Sequence, residues 1–193
     1  SAIHTSLITF GHNTGTNVSI TGHILNVNLN NKCRGFLEAN NFGIVSTVYY
    51  TKISGEATIK ASSLTVENSY ASTGGDGISY GIYIAGTFKR VTIENVTINT
   101  VARYAAGYGE CKGIAVSNLK GGCYINNCTV SNVLCNATYM ANADGISVFG
   151  LKEDGAVENS FRTGIATIEN CTMSDNQTRN IKIQTSVSTI QNC

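Results

Sequence analysis

The chain has 193 residues, only 13% of them charged, and its formal net charge is +1. A charge this close to zero argues against nucleic-acid binding, which normally needs a basic patch. No apolar run approaches the ~18 residues of a membrane-spanning helix, and the first residues lack the features of a secretory signal. The length suffices for one sizeable core, so we predict a single domain over residues 1–193.

Two faint repeats open the chain. Ile8 is followed by alternating apolar and polar residues at 18–20 and 25–27, and Ile44 is followed by the same arrangement at 57–59 and 64–66. Apolar residues at a period of two predict short strands. The chain contains no proline, which suits strands that are hydrogen-bonded on both edges.

A clearer repeat occupies the middle and the end of the chain. Ile-Glu-Asn-Val at 93–96 returns as Ile-Asn-Asn-Cys at 125–128, Ile-Glu-Asn-Cys at 168–171 and Ile-Gln-Asn-Cys at 190–193. A second apolar motif precedes each copy, and its isoleucines Ile82, Ile114 and Ile146 are each 32 residues apart. Self-similarity at a fixed period predicts a solenoid, in which every repeat stacks on the next.

The asparagine in each copy marks a bend between two strands, because asparagine tolerates the left-handed backbone conformation. We therefore predict an all-β fold, a right-handed single-stranded parallel β-helix of about six coils. Stacking would place two sets of side chains in columns. We expect an internal amide ladder of Asn95, Asn127, Asn170 and Asn192, and an apolar column of Val66, Ile98, Val130 and Met173.

Three of the seven cysteines, Cys128, Cys171 and Cys193, fall at one repeat position. We interpret them as a buried column of reduced thiols rather than as disulfide partners, which favours synthesis in a reducing cytosol. No Cys-x-x-Cys or Cys-x-x-His pair occurs, so we expect no zinc site, no other metal and no cofactor.

Departures from the repeat locate the insertions. Two coils carry roughly eight extra residues each, near 102–110 and 134–142, and these should stack as a ledge. A different insert spans residues 150–163. Loops on a rigid scaffold are where function concentrates, so we expect the functional site beside these three segments.

The repeats, together with Ala143-Asp144-Gly145-Ile146 and Arg179-Asn180-Ile181-Lys182, resemble the pectate-lyase-like right-handed parallel β-helix superfamily. Within it the chain looks most like bacteriophage tailspike depolymerases. Residues 142–145 and 179–182 are similar to two polygalacturonase motifs, but the Gly-His-Gly motif expected between them is absent.

The resemblance implies a homotrimeric virion protein of the tail, assembled in the host cytoplasm, that binds and cleaves a bacterial surface polysaccharide. The chain begins and ends inside repeats, so we expect a fragment of a longer protein. The alternative is a non-catalytic structural or adhesive segment of a viral fibre or surface adhesin. A secreted plant-polysaccharide enzyme is disfavoured by the cysteines and the missing signal.

Glycoside hydrolysis needs two carboxyl groups flanking the scissile bond. By the register of the repeat, Lys112, Asp144 and Arg179 precede three successive strands and should stack. Cationic neighbours favour an ionised Asp144, so we predict Asp144 as nucleophile or base, with Asp154 or Glu158 as the acid. The alternative is a charge ladder that only stabilises the stack.

Sugar-binding residues should surround these carboxyl groups. A lyase would use Arg179 or Lys182 to neutralise a sugar carboxylate, and the sequence leaves hydrolase and lyase open. Aromatic side chains near the inserts, including Phe149 and Phe161, would either stack on sugar rings or cap a loop. The predicted substrate-binding residues are Glu110, Lys112, Tyr104, Tyr108, Tyr139, Arg179 and Lys182.

Overall fold

A computed structural model describes residues 2–9, 18–33, 38–45, 53–68, 77–152 and 162–193. Throughout this part of the chain the regular structure is β, and no helix occurs there that is long and apolar enough to cross a membrane. The strands in chain order are β1 (Ala2–Thr9), β2 (Val18–Leu25), β3 (Asn28–Cys33), β4 (Glu38–Val45), β5 (Ile53–Lys60), β6 (Ser63–Asn68), β7 (Gly77–Ala85), β8 (Thr87–Glu94), β9 (Thr97–Leu119), β10 (Gly122–Asn126), β11 (Thr129–Ser131), β12 (Val133–Gly150), β13 (Ile165–Glu169), β14 (Thr172–Ser174), β15 (Arg179–Gln184) and β16 (Val187–Gln191).

Each strand pairs in parallel with its equivalent one turn later, and the strands of one turn are called a row below. One sheet, called the second sheet below, forms the second face of the solenoid and contains six strands in the order β2, β5, β8, β10, β13 and β16. The other sheet contains ten strands and forms two faces: a first face with β1, β4, β7 and β15, and a third face with β3, β6, β11 and β14. The long strands β9 and β12 join these two faces, because each runs from the third face into the first face of the next turn. The predicted all-β parallel solenoid is therefore confirmed, and its right-handedness stays a prediction.

About three turns of the solenoid are complete, whereas the repeat predicts about six coils. The sequence pattern counts strands at one repeat position, and that position recurs six times in the second sheet. The predicted number was therefore too high for complete turns.

The predicted register is confirmed on two faces. Ile114 pairs with Ile82 before it and with Ile146 after it, and the isoleucines of the Ile-x-Asn motif stack in the second sheet. The apolar column needs one correction. Leu64, and not Val66, aligns with Ile98, and after a register shift Val66 aligns with Val101.

Asparagines occupy the corner between the second and third faces, as predicted. Asn95, Asn127, Asn170 and Asn192 all have φ between 50° and 55°, which is left-handed backbone that asparagine tolerates better than most residues. Amide hydrogen bonds join Asn127 to Asn95 and Asn192 to Asn170 at 2.7 and 3.1 Å.

The ladder is external, however, so the predicted internal position was wrong. All four asparagine side chains are exposed, and Asn170 donates to Asn126 rather than to Asn127. The residue that follows the corner points inward instead, and this is where Cys128 and Cys171 lie, 1% and 3% exposed. The cysteines whose side chains are described are free thiols.

The core is one continuous apolar column inside the solenoid, dominated by isoleucine and valine. Glycine allows the rows to approach each other at one inner position. A β-carbon on Gly113 would lie 2.3 Å from Cγ1 of Val130 and 2.6 Å from the carbonyl oxygen of Gly145. A β-carbon would also come too close to the carbonyl oxygen of the next row at three equivalent glycines, Gly43, Gly81 and Gly145.

The two equivalent insertions stack on each other, as predicted, but they are strand rather than loop. Residues 101–112 of β9 pair with residues 133–144 of β12, with register shifts near Tyr139. The base of the third insert is closed by an antiparallel bridge between Lys152 and Arg162. Residues 153–161 of that insert lie outside the described residues.

Candidate functional site

A groove of about 370 Å³ lies on the outer face of β7, β9 and β12. Its floor is a small apolar cluster, separate from the main core, that contains Tyr80, Tyr83 and Ala115. Tyr83 and Ala115 point outward because their strand neighbours Ile82 and Ile114 belong to the interior core. Phe149 and Arg162 also line the groove.

One wall of the groove carries a hydrogen-bonded triad. The Tyr80 hydroxyl donates to one oxygen of Glu110, and the Lys112 ammonium lies 2.8 Å from the other oxygen. Lys112 also lies over the Tyr80 ring, 5.2 Å from its centre. Burial, and then the Glu110 carboxylate, raise the pKa of Tyr80 well above its ordinary value, so the hydroxyl keeps its proton and remains a donor.

Cations surround the ring of Phe149. Lys112, Arg162 and Lys182 approach its centre to 5.4, 5.5 and 5.1 Å, within the range of a cation–π interaction. Arg162 is further held by a hydrogen bond of 3.2 Å to the carbonyl oxygen of Gly150. Three positively charged side chains from different parts of the chain thus lie around one aromatic ring.

Asp144 is in the predicted stack, but its carboxylate is buried. It pairs in register with Lys112 on one side and with Arg179 on the other. Its side chain is 0% exposed and receives two hydrogen bonds from Arg179, at 2.6 and 3.3 Å. Arg179 also donates to the side-chain oxygen of Asn142, at 3.2 Å. The geometry is that of a structural ion pair, whereas a nucleophile has to reach its substrate.

Apart from the ion pair of Asp144 and Arg179, the predicted site residues divide into two groups. Glu110 and Lys112 line the groove, Lys182 reaches it through Phe149, and Tyr108 lies close enough to influence the ionisation of Tyr80. The other group lies outside the described residues: Asp154 and Glu158 entirely, and Tyr104 and Tyr139 in their side chains. The catalytic roles of Asp144, Asp154 and Glu158 stay predictions.

Sequence reasoning missed Tyr80, Tyr83 and Arg162 as site residues. Tyr80 had a signal, because it precedes Lys112 by one 32-residue period and pairs with it in register. Arg162 had only a general signal, since it lies inside the predicted insert at 150–163, where the repeat assigns no register to individual residues. Within the described part of the chain, no group of three or more His, Cys, Asp or Glu side chains could hold a metal ion.

The chain matches no protein-family model, no curated protein and no solved structure. Its class therefore follows from its own geometry, which is that of a parallel β-solenoid. The distinctive feature of this solenoid is an outward groove in which aromatic rings and cations lie together.

Proposed function

We propose that the solenoid binds a polysaccharide, and that the groove beside Phe149 holds an acidic sugar of that polysaccharide. The observation that carries the proposal is the convergence of three cations on one aromatic ring. Aromatic faces offer apolar area to sugar rings, while cations held beside them attract carboxylate or phosphate groups. Polar neighbours such as Ser117 and Asn118 add hydrogen-bonding groups at the edge.

The ionic pairing in the groove supports an anionic rather than a neutral sugar. Lys112 is balanced by Glu110, and Arg179 is balanced by Asp144. Arg162 and Lys182 form no ion pair with any carboxylate in the described part of the chain. Their positive charge is therefore the part of the groove best suited to a ligand.

The broader proposal follows from the sequence resemblance. We propose a homotrimeric tailspike or viral-fibre protein of a virion, assembled in the host cytoplasm, whose polysaccharide belongs to a bacterial surface. Sedimentation measures the mass of the assembly in solution. We expect the mass of a trimer, and a monomer at all concentrations would contradict this. The alternative is an adhesive segment that binds a glycan without cleaving it.

A panel of immobilised capsular and O-antigen polysaccharides tests the binding site. We expect the chain to bind at least one acidic glycan, and Lys182→Gln to weaken that binding by about tenfold, the loss of one charge-assisted hydrogen bond. The matched control is Lys89→Gln, since Lys89 is an exposed lysine on the second sheet, away from the groove. Absence of binding across the panel, or equal losses in the two variants, would refute the site.

Cleavage is tested on any glycan that binds. A hydrolase with Asp154 or Glu158 as its acid would release new reducing ends, whereas a lyase would release an unsaturated sugar. The expected effect of Asp154→Asn with Glu158→Gln is loss of product with binding retained. If the unmodified chain binds the glycan and releases no product, the adhesive alternative holds.

A further inference from the structure

Two stacked cysteines form a chemical site that polysaccharide binding does not use. Cys128 and Cys171 lie in adjacent rows, because Asn126 pairs with Glu169 before them and Thr129 pairs with Thr172 after them. Both are free thiols and almost fully buried. The solenoid repeat therefore places two sulfur atoms next to each other at its inner corner.

The two sulfurs occupy equivalent positions. Each lies within hydrogen-bonding distance of the carbonyl oxygen two residues earlier, at 3.3 Å for Cys128 and 3.1 Å for Cys171. Each also lies near a carbonyl oxygen of the preceding row, at 3.6 and 3.9 Å. Adjacent parallel strands are about 4.8 Å apart, and a disulfide accepts α-carbon separations of about 4.4–6.8 Å. The backbone spacing is therefore compatible with a bond between the two sulfurs.

We propose that Cys128 and Cys171 are an oxidisable thiol pair, which a peroxide converts into a disulfide that joins two successive turns of the solenoid. This inference is independent of the proposed sugar site. It concerns the inner corner between the second and third faces, whereas the groove lies on the outer face of the first.

The reaction needs only the peroxide as co-reactant. The Cys171 sulfur attacks one peroxide oxygen, the O–O bond breaks, and the products are a sulfenic acid and one water. The Cys128 sulfur then attacks the Cys171 sulfur and forms the S–S bond, while the S–OH oxygen leaves as a second water. The two thiols together lose two electrons and two protons, and the peroxide is reduced to two waters.

Cys171 is the thiol that reacts first. The hydrogen bond from Cys128 lowers the pKa of Cys171 to about 7, and the same bond together with burial raises the pKa of Cys128. A thiol that ionises near neutral pH is the nucleophile in such exchanges.

Cys123 provides an internal comparison. It is buried to the same degree as Cys171, at 3% exposure, but burial alone raises the pKa of Cys123 to about 12. It should remain a thiol under conditions that oxidise the pair. The chain thus contains a matched unreactive cysteine for the experiment.

The experiment is mild hydrogen peroxide treatment of the chain in a Cys193→Ser background, which removes the exposed thiol of the same column. We expect loss of two hydrogen atoms and a 128–171 cross-link in non-reducing peptide mass spectrometry. We also expect the thermal unfolding midpoint to rise by roughly 5 °C and to return on reduction, because the bond restricts the unfolded chain.

Variants decide whether the pair is specific. Cys128→Ser should abolish both the cross-link and the rise in midpoint, whereas Cys123→Ser should leave both intact. Circular dichroism establishes that each variant is folded before oxidation. A disulfide at other cysteines, oxidation of Cys171 without a cross-link to Cys128, or loss of the cross-link in Cys123→Ser would overturn the proposal.

Discussion

Two cationic residues of β15 differ in what surrounds them. Arg179 is bound to the fully buried carboxylate of Asp144, while Lys182 lies over the ring of Phe149, 5.1 Å from its centre. The sequence predicted that Asp144 would stack between Lys112 and Arg179, because the residues share a repeat position. It did not predict the burial of Asp144, since burial on an outer face depends on segments that the repeat does not describe.

Arg179→Gln should destabilise the fold strongly. Removing the guanidinium leaves a buried carboxylate without its cation, which costs about 3 kcal/mol in the free energy of unfolding. Addition of Asp144→Asn should recover much of this loss, because the buried charge is then also removed. Urea denaturation of the single and double variants measures both effects.

The matched control for this pair is Lys182→Gln on the same strand, which should change stability by no more than about 0.5 kcal/mol. If Arg179→Gln proves equally neutral, the Asp144 carboxylate has another stabilising partner and the structural role assigned to the pair is wrong.

At the scale of strands, the close packing of successive rows depends on glycine. Gly113 lies where β9 approaches β11 and β12, and its α-carbon faces Val130 and the backbone of Gly145. The repeated glycine before each isoleucine was visible in the sequence. Its role was not, because contact between rows is a property of the stack rather than of one repeat.

Gly113→Ala should lower the free energy of unfolding by about 1–3 kcal/mol, the usual range for overpacking a well-filled core. The reason is the contact of 2.3 Å that the new methyl group would make with Val130. Thermal unfolding followed by circular dichroism gives the change in midpoint.

Gly122 supplies the matched control on the neighbouring strand β10. A β-carbon there would meet nothing within 4 Å, so Gly122→Ala should be neutral or slightly stabilising. Equal destabilisation by the two substitutions would mean that the flexibility of glycine, and not the close contact between rows, explains the repeated glycine before each isoleucine.

For the whole molecule, the sequence predicted the features that repeat along the chain. It missed the groove and the direction of the asparagine side chains, which do not follow from the repeat. The strand rows, the corner asparagines and the thiol column all follow from residues one period apart. The groove does not, because it combines Tyr80 from one row, Phe149 two rows later and Arg162 from the end of an insert. The asparagine ladder was placed on the wrong side because a period fixes the neighbour of a residue, and not whether it points inward.

The central proposal is that the outer groove binds an acidic glycan. Its most direct test is titration of the isotope-labelled chain, 20.4 kDa in mass, with a glycan that binds in the panel, followed by amide chemical shifts in NMR spectra. The account predicts that the largest changes cluster at Tyr80, Lys112, Phe149 and Lys182. Changes concentrated on the second sheet, around Thr92 and Tyr124, would contradict it.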